Sequence, residues 1–384
     1  MRAWVFALGV SLVLGGCTKN ETSAPEKPGA PPTVVPQAMA VTAAPATAGD
    51  ATAPLPPARF VGRWVKDGEG MRCAWPGCFV TAKFTGTAIA ARIKDDGFNL
   101  LQVVVDGEVK KVLRLDNKKG ETSYVLAEAL PEGVHEISIH KRAEAKVGDI
   151  LFYAFEPKSG DGPGKMLPGT PAPERRIELI GDSITAGYGN EGPNATCGYV
   201  NSEQNEYLTY GAITARNLSA DHATIAWSGK TQYEMRQYLD KTLPQNPGAP
   251  KWDFAQYQPQ VLVLNVGTND FANVDPGEGR FVRQYLELMR DVRVAYPKAF
   301  VIVALGPMLS DAYPEGRQNL TKARRYFKVV VEKLKAQGEA NFTFLEFPEQ
   351  NHADGLGCGF HPSLKTHKLM SDRLTAVIKE HLSW

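Results

Sequence analysis

Three polar side chains with complementary chemistry follow apolar runs in the second half of the chain. Ser183, Asn269 and His361 come after separate runs, and glycines stand beside the first two. A serine hydroxyl is a weak nucleophile that needs a base such as histidine. The oxyanion formed in acyl transfer needs preorganised donors, and glycine lets a backbone N–H approach closely. This combination predicts a serine-based acyl-transfer site.

The elements that must position these residues are parallel strands and helices. Short apolar runs predict buried strands at 176–180, 222–226, 260–266, 299–305 and 342–346. Apolar residues recur at three- and four-residue steps in 280–295, 317–337 and 362–382, which predicts helices. Strand alternating with helix is typical of an open, flavodoxin-like α/β sheet, in which sites form at the carboxyl ends of the strands. We therefore expect an α/β domain over 172–384 whose site lies at one edge of the sheet.

A region in which apolar residues are spaced differently precedes the expected α/β domain. Between about 60 and 155, seven short strand-like runs are separated by Gly, Asp, Asn and Pro, and Asp106-Gly107 is a strong hairpin signal. Strands at intervals of roughly ten residues are typical of a sandwich or jelly roll. We expect an all-β jelly-roll domain over 59–160 and a loop over 159–173.

The amino terminus reads as an export signal. An apolar stretch over 3–14 follows Arg2 and is too short to span a bilayer. The LGGC ending resembles the lipobox of bacterial lipoproteins, which implies removal of residues 1–16 and lipidation of Cys17. Residues 17–58 are expected to form an extended linker, since 21–58 contain nine Pro and eleven Ala. The expected location is the bacterial cell envelope, lipid-anchored at the outer membrane or cell surface; plain secretion is the alternative.

The balance of charges narrows the classes of possible partner. The chain carries 43 Lys+Arg against 42 Asp+Glu, which argues against nucleic acid as the main partner and against a polybasic membrane-surface protein.

Beyond Cys17, four cysteines remain, and an even number in an oxidising compartment indicates disulfides. A Cys73–Cys78 bridge is expected around the turn sequence between them. A zinc site is disfavoured because the flanking sequence lacks the usual ligand spacing.

The functional residues resemble the blocks of the SGNH (GDSL) hydrolase family. GDSIT matches the serine block, which implies that Ser183 is the nucleophile and that its N–H is an oxyanion donor. Gly229 fits the glycine block as a second donor, and GTND makes the Asn269 amide a third. His361, followed by Pro362, matches the histidine block as general base and then acid.

A narrower resemblance is to carbohydrate esterase family 2, carried by GDSITAGYGN, YGAITAR and DGLGCGFHPS. Members have a jelly roll before the hydrolase domain, and the resemblance implies removal of acetyl groups from polysaccharides such as xylan or glucomannan. It implies no metal or organic cofactor, and we expect a monomer. Alternatives are a lipase or thioesterase, an esterase of acetylated envelope glycans, or a non-catalytic carbohydrate-binding lipoprotein.

The sequence does not identify the group that orients His361. Cys358 stands where SGNH enzymes usually carry Asp, and Gly359 stands at the next position, which is often acidic in the esterase family. The Asp354 side chain and a backbone carbonyl near Cys358 are the two candidates, and the resemblance favours the carbonyl. Cys358 is expected to pair with Cys197, since both loops should rise from the same face of the sheet.

Other residues near the blocks receive structural interpretations. Asp182 is expected to hold loop backbone, and His352 to be a loop or substrate-side residue. Ser228-Gly229-Lys230-Thr231 is similar to the end of a P-loop but lacks its upstream glycine, which excludes nucleotide binding. The sequence also has no GxSxG elbow, which excludes the common α/β-hydrolase layout.

Overall fold

The computed structural model describes residues 57–160 and 162–384. The expected signal sequence, the expected lipidation site at Cys17 and the expected linker as far as residue 56 lie outside the described residues. Among the helices that are described, none combines the length and the apolar character needed to cross a membrane.

The first region is a sandwich of two antiparallel sheets. Its strands are β1 (Ala58–Val61), β2 (Trp64–Asp67), β3 (Gly70–Cys73), β4 (Phe79–Thr85), β5 (Ala88–Asp95), β6 (Leu100–Val105), β7 (Glu108–Arg114), β8 (Thr122–Ala127), β9 (Val134–Lys141), β10 (Ile150–Ser159), β11 (Gly162–Pro163) and β12 (Lys165–Leu167). One sheet has the order β1-β4-β9-β6-β7, with β12 on β4. The other has the order β2-β3-β10-β5-β8, with β11 on β10. The all-β prediction is confirmed.

The short strands are where the sequence prediction and the structure differ. Strands β1 to β3 have four residues each, which is too short for an alternating pattern to stand out. The predicted loop over 159–173 is wrong in part, because β11 and β12 lie within it. Gly and Pro suit such edge positions, where pairing with a longer strand and not local propensity fixes the backbone. The hairpin at Asp106-Gly107 is confirmed, with φ values of 53° and 79°.

The second region is a five-stranded parallel sheet covered on both faces. Its strands are β13 (Arg176–Gly181), β14 (Asp221–Ala226), β15 (Val261–Asn265), β16 (Phe300–Leu305) and β17 (Phe342–Glu346), in the order β14-β13-β15-β16-β17. Its helices are α1 (Ser183–Ala186), α2 (Tyr210–Asn217), α3 (Gln232–Arg236), α4 (Glu278–Ala295), α5 (Asn319–Ala336) and α6 (Leu364–Leu382). All five predicted strands and the three predicted long helices are present.

Alternate side chains of the central strand, β15, pack against helices on opposite faces of the sheet. Val261 and Val263 of β15 pack in the cluster that contains the buried face of α6, whereas Leu262 and Leu264 pack with α4 and α5. Every residue of β15 is buried, which is why the strand reads as a continuous apolar run. Helices cover both faces of the sheet, and the loops that carry the candidate site lie at its carboxyl edge.

Buried polar contacts join the sandwich to the parallel sheet. Arg63, which follows β1, lies 3.0 Å from the Glu178 carboxylate in β13, and both side chains are buried. Its guanidinium also donates to the carbonyl oxygens of Leu239 and Lys241. A buried charge requires such partners. The two regions therefore pack in a fixed relation, which brings sandwich residues to the candidate site. Both expected disulfides, Cys73–Cys78 and Cys197–Cys358, are formed.

Candidate active site

Ser183 and His361 are brought into hydrogen-bond contact from opposite ends of the second region. Ser183 is the first residue of α1, two positions after β13 ends, and His361 lies in the loop before α6. The His361 Nε2 atom lies 2.8 Å from Ser183 Oγ. This is the distance over which a base can take the hydroxyl proton of a nucleophile.

The other ring nitrogen of His361 faces backbone carbonyls. Nδ1 lies 3.1 Å from the Cys358 oxygen and 3.0 Å from the Gly359 oxygen. A carbonyl oxygen only accepts hydrogen bonds, so Nδ1 must carry the proton and Nε2 must present its lone pair to Ser183. Gly359 has a φ of 61°, a left-handed conformation that glycine adopts without strain. The turn that aims its carbonyl at Nδ1 therefore uses the residue best suited to it.

Asp354, the carboxylate candidate for orienting His361, is not brought to the ring. Its Oδ1 lies 2.6 Å from Lys365 Nζ, and its Oδ2 accepts from the Asn351 side chain at 2.8 Å. The hydrogen bond from Lys365 is the main cause of an Asp354 pKa below its usual value. The direction of this loop was undetermined in the sequence. In the structure, Asp354 ends a short 3-10 helix and pairs with α6.

The environment of His361 favours the neutral ring. Burial lowers the pKa of His361 to about 4, although the two carbonyl hydrogen bonds act in the opposite direction. The positive charge of Lys146 adds a smaller lowering effect. The Tyr188 ring packs against the imidazole, with centroids 4.3 Å apart. A neutral imidazole is the form that can act as a base.

Two backbone N–H groups form the candidate oxyanion site. Within the described ranges, the N–H groups of Ser183 and Gly229 donate to no protein acceptor. Gly229 lies in the loop after β14 with a φ of 80°, which favours glycine. Unpaired backbone donors in loops at the carboxyl edge of the sheet suit the negative charge that develops on a carbonyl oxygen in acyl transfer.

Asn269 links the loops of the site. Its Nδ2 donates to the Lys230 carbonyl at 3.0 Å and to Asp182 Oδ2 at 3.2 Å. Both amide hydrogens therefore have partners within the protein. Its role as a third oxyanion donor stays a prediction, and that role would require release of the longer contact with Asp182.

Asp182 caps the helix that begins with the nucleophile candidate. Its Oδ1 accepts from the Ile184 N–H at 3.0 Å, as expected for a residue that holds loop backbone. Burial raises the pKa of the Asp182 carboxyl to about 7, and the nearby Asp270 charge adds to this. Burial likewise raises the pKa of Asp270 to about 6.

A groove of about 760 Å³ is lined in part by Gly359 and Phe360, the two residues before His361. It has apolar and polar walls, formed by the loops after β16 and β17, and His352 is one of its lining residues. The aromatic side chains Tyr313 and Phe360 are 80% and 54% exposed. Exposed aromatic rings with a few polar groups suit a ligand that has both apolar faces and hydroxyls.

Residues of the sandwich that the sequence analysis missed also reach the site. The Glu144 carboxylate accepts from the Ser228 N–H, and Lys146 lies over the Tyr188 and Tyr199 rings. The run of charged residues after β9 was the only signal in the sequence, since nothing in it shows that Glu144 is buried while Lys146 stays exposed. In the part of the chain that the structure describes, no group of three or more His, Cys, Asp or Glu residues is arranged to hold a metal ion.

Two family descriptions match the chain. Residues 60–166 match "Carbohydrate esterase 2 N-terminal", and residues 179–369 match the "GDSL-like Lipase/Acylhydrolase family". The two matches cover the sandwich and the parallel-sheet region respectively.

Individual proteins are similar over most of the chain. The cellulase/esterase CelE of Acetivibrio thermocellus is 39% identical over 329 residues, which are 83% of this chain and 38% of CelE. The chain thus spans well under half of that relative. An acetylxylan esterase/glucomannan deacetylase of Cellvibrio japonicus is 26% identical over 360 residues, which are 87% of this chain and 93% of that protein.

Solved structures agree with these matches. A family two carbohydrate esterase from Clostridium thermocellum, in complex with cellohexaose, has a TM-score of 0.79 and 37% identity. The similarity covers 85% of this chain and 99% of that one. A carbohydrate esterase family 2 enzyme from Corynascus thermopiles has a TM-score of 0.74 and 29% identity, covering 85% of this chain and all of that one.

Proposed function

The chain belongs to carbohydrate esterase family 2 of the SGNH hydrolases, and we propose that it is a serine esterase that removes acetyl groups from the hydroxyls of polysaccharides such as xylan or glucomannan. The observation that carries this is the 2.8 Å contact between Ser183 Oγ and His361 Nε2. The proton on Nδ1 leaves the Nε2 lone pair to accept the serine hydrogen. The chain's relatives named as acetylxylan esterases support the substrate class.

The reaction follows from these contacts. Ser183 Oγ attacks the acetyl carbonyl carbon while His361 Nε2 takes the hydroxyl proton. The carbonyl oxygen becomes an oxyanion that the N–H groups of Ser183 and Gly229 stabilise. When the tetrahedral intermediate collapses, His361 gives its proton to the departing sugar oxygen, and an acetyl ester remains on Ser183.

Water then completes the cycle. It attacks the acetyl carbon while His361 takes one of its protons. Collapse of the second tetrahedral intermediate returns that proton to Ser183 Oγ and releases acetate. The backbone carbonyls at Nδ1 keep the imidazole in the same tautomer and orientation through both halves.

The groove beside His361 supports a polymeric substrate. The Gly359 and Phe360 positions, immediately before His361, line it together with Tyr313. A sugar ring packed on these aromatic side chains would hold its acetylated hydroxyl toward Ser183. A long-chain lipid ester would find fewer continuous apolar walls, because Glu349, Gln350 and His352 also line the groove.

Acetate release measures this function. The purified protein, without added metal, is incubated in parallel with acetylated xylan, acetylated glucomannan, O-acetylated peptidoglycan and a long-chain acyl ester. Release from xylan or glucomannan at the highest kcat/KM supports the proposal. Preference for peptidoglycan or the long-chain ester would redirect it to those substrates.

We also propose that the enzyme is exported and anchored by lipid at Cys17, so that the Pro-rich segment separates the enzyme from the membrane. The LGGC sequence supports this location. Metabolic labelling with a fatty-acid analogue should mark the protein in cells, and Cys17→Ser should abolish the label. Release of an unlabelled protein into the medium would favour plain secretion.

A further inference from the structure

The connection between β9 and β10 crosses from the sandwich to the hydrolase loops. Arg142, at its start, has a side chain that is only 2% exposed and pairs with Glu191. Its guanidinium also donates to the Ser202 carbonyl at 2.9 Å and to the Gln204 carbonyl at 3.3 Å. Three acceptors on one long loop fix the connection against the segment that follows α1.

Glu144 extends this contact to the loop that carries Gly229. Its side chain is fully buried, and one carboxylate oxygen accepts from the Ser228 N–H. The other oxygen lies 2.6 Å from Lys146 Nζ. A buried carboxylate without partners is strongly unfavourable. Ser228 N–H and Lys146 are therefore the two partners that stabilise the Glu144 carboxylate in this buried position.

We propose that Glu144, a residue of the sandwich, is the positioning residue that holds the Gly229 N–H in place as an oxyanion donor. Ser228 immediately precedes Gly229, so fixing its N–H fixes the chain from which the Gly229 N–H projects. The proposal rests on the proposed function, in which Gly229 stabilises the oxyanion. It assigns the sandwich a direct part in completing the catalytic site.

Lys146 joins the same arrangement to the histidine side of the site. Its Nζ lies 4.4 Å from the Tyr199 ring centroid and 5.5 Å from that of Tyr188, where an ammonium group is attracted by the ring faces. Tyr188 in turn packs on His361. The Glu144–Lys146 pair therefore spans the distance between the oxyanion loop and the wall of the catalytic base.

The expected kinetic effect follows from the geometry of donors. Removing one oxyanion donor outright costs about 10²- to 10³-fold in kcat. Glu144→Ala displaces such a donor without deleting it, so we expect kcat to fall roughly 10- to 100-fold. KM should change little, since the ground-state carbonyl uses the donor less than the oxyanion does.

Two conservative variants separate the hydrogen bond from the charge. Glu144→Gln keeps a side-chain oxygen that can accept from the Ser228 N–H, so it should recover most of the lost kcat. Glu144→Asp keeps the charge beside Lys146 but withdraws the carboxylate by one methylene, so its kcat should stay low. Glu144→Asp also serves as the test if Glu144→Ala does not fold.

Arg59→Ala is the matched control. Arg59 pairs with Asp221 at 2.6 Å, across the same interface but at the opposite end of β14 from Ser228. This variant should lose thermal stability and keep the wild-type kcat. It thereby separates loss of an interdomain ion pair from loss of loop position.

The experiment measures kcat, KM and Tm for the wild type, Ser183→Ala and these variants on 4-nitrophenyl acetate and acetylated xylan. A low kcat with unchanged KM in Glu144→Ala or Glu144→Asp, recovery in Glu144→Gln and wild-type kcat in Arg59→Ala are expected. Wild-type kcat in folded Glu144→Ala, or equal losses in Arg59→Ala and Glu144→Ala, would overturn the inference alone. An inactive wild type, or an active Ser183→Ala, would overturn the proposed function instead.

Discussion

The Nδ1 atom of His361 lies 3.0 Å from the carbonyl oxygen of Gly359, and the Cys358 carbonyl lies at a similar distance. In the triad arrangement a carboxylate occupies this position, fixes the tautomer and stabilises the imidazolium. Here neutral backbone oxygens fix the tautomer. The imidazole is therefore oriented by the shape of one loop and not by a third titratable side chain.

Substitution of His361 and of Asp354 tests this arrangement. We expect His361→Ala to lower kcat at least about a thousandfold, because the base and acid of both steps are lost. Asp354→Asn should cost less than about tenfold, because its carboxylate contacts Lys365 and Asn351. Steady-state kinetics on 4-nitrophenyl acetate checks both variants. A loss of about 10⁴ in a folded Asp354→Asn enzyme would assign the orienting role to the carboxylate.

The pH dependence of kcat/KM should reflect the depressed pKa of His361. The ring must be neutral to accept the serine proton, so activity rises as pH increases through its pKa. Burial lowers that pKa from about 6.5 to about 4, so the acidic limb should have its midpoint well below 6.5. A midpoint at or above 6.5 in the wild type would show that the ring is not desolvated in this way.

The Asp182 carboxyl, with a pKa raised to about 7, provides the control for this profile. Asn at position 182 can still accept from the Ile184 N–H but cannot titrate. An inflection near pH 7 that disappears in Asp182→Asn belongs to Asp182, whereas the lower limb should remain in that variant.

The Cys197–Cys358 disulfide should contribute more stability than the Cys73–Cys78 disulfide. The first closes a separation of 161 residues and the second a separation of 5. The chain-entropy treatment gives about 5 and about 2 kcal/mol respectively. Denaturant unfolding of the two double Cys→Ala variants compares them. We expect the larger loss for Cys197→Ala/Cys358→Ala, and kcat should also fall because Cys358 and Gly359 carry the carbonyls at His361. Equal losses of stability would contradict the loop-length argument.

Truncation in the groove should separate polymer binding from chemistry. Tyr313→Ala removes a ring that is 80% exposed on the groove wall. We expect KM for acetylated xylan or glucomannan to rise at least about fivefold, while kcat/KM for 4-nitrophenyl acetate stays within about twofold. Tyr313→Phe, which keeps the ring, should bind the polymer like the wild type. Unchanged polymer kinetics in Tyr313→Ala would place the polysaccharide elsewhere.

The sequence predicted the parallel strands and long helices well, because burial on both faces makes a strand such as β15 apolar at every position. Ser183, Asn269 and His361 could be placed for the same reason, since each follows a strand whose carboxyl end lies at the same edge. The short strands β1 to β3, β11 and β12 escaped prediction because pairing with neighbouring strands, and not a local sequence pattern, fixes them.

The site was less predictable where loop direction or domain packing decides the contacts. Asp354 lies near glycines in sequence, and only the folded loop shows that it turns toward Lys365 and not toward His361. Glu144 contacts Ser228 across 84 positions of the chain. That contact depends on how the sandwich packs on the sheet, which no local pattern encodes.

A serine mechanism is tested most directly by acetate release from acetylated glucomannan by the wild type and by Ser183→Ala, in the presence and absence of a metal chelator. We expect the wild type to release acetate equally well with the chelator. Folded Ser183→Ala, with an unchanged circular dichroism spectrum, should be slower by several orders of magnitude. Retained activity in Ser183→Ala, or loss of wild-type activity with the chelator, would contradict a serine mechanism built on Ser183 and His361.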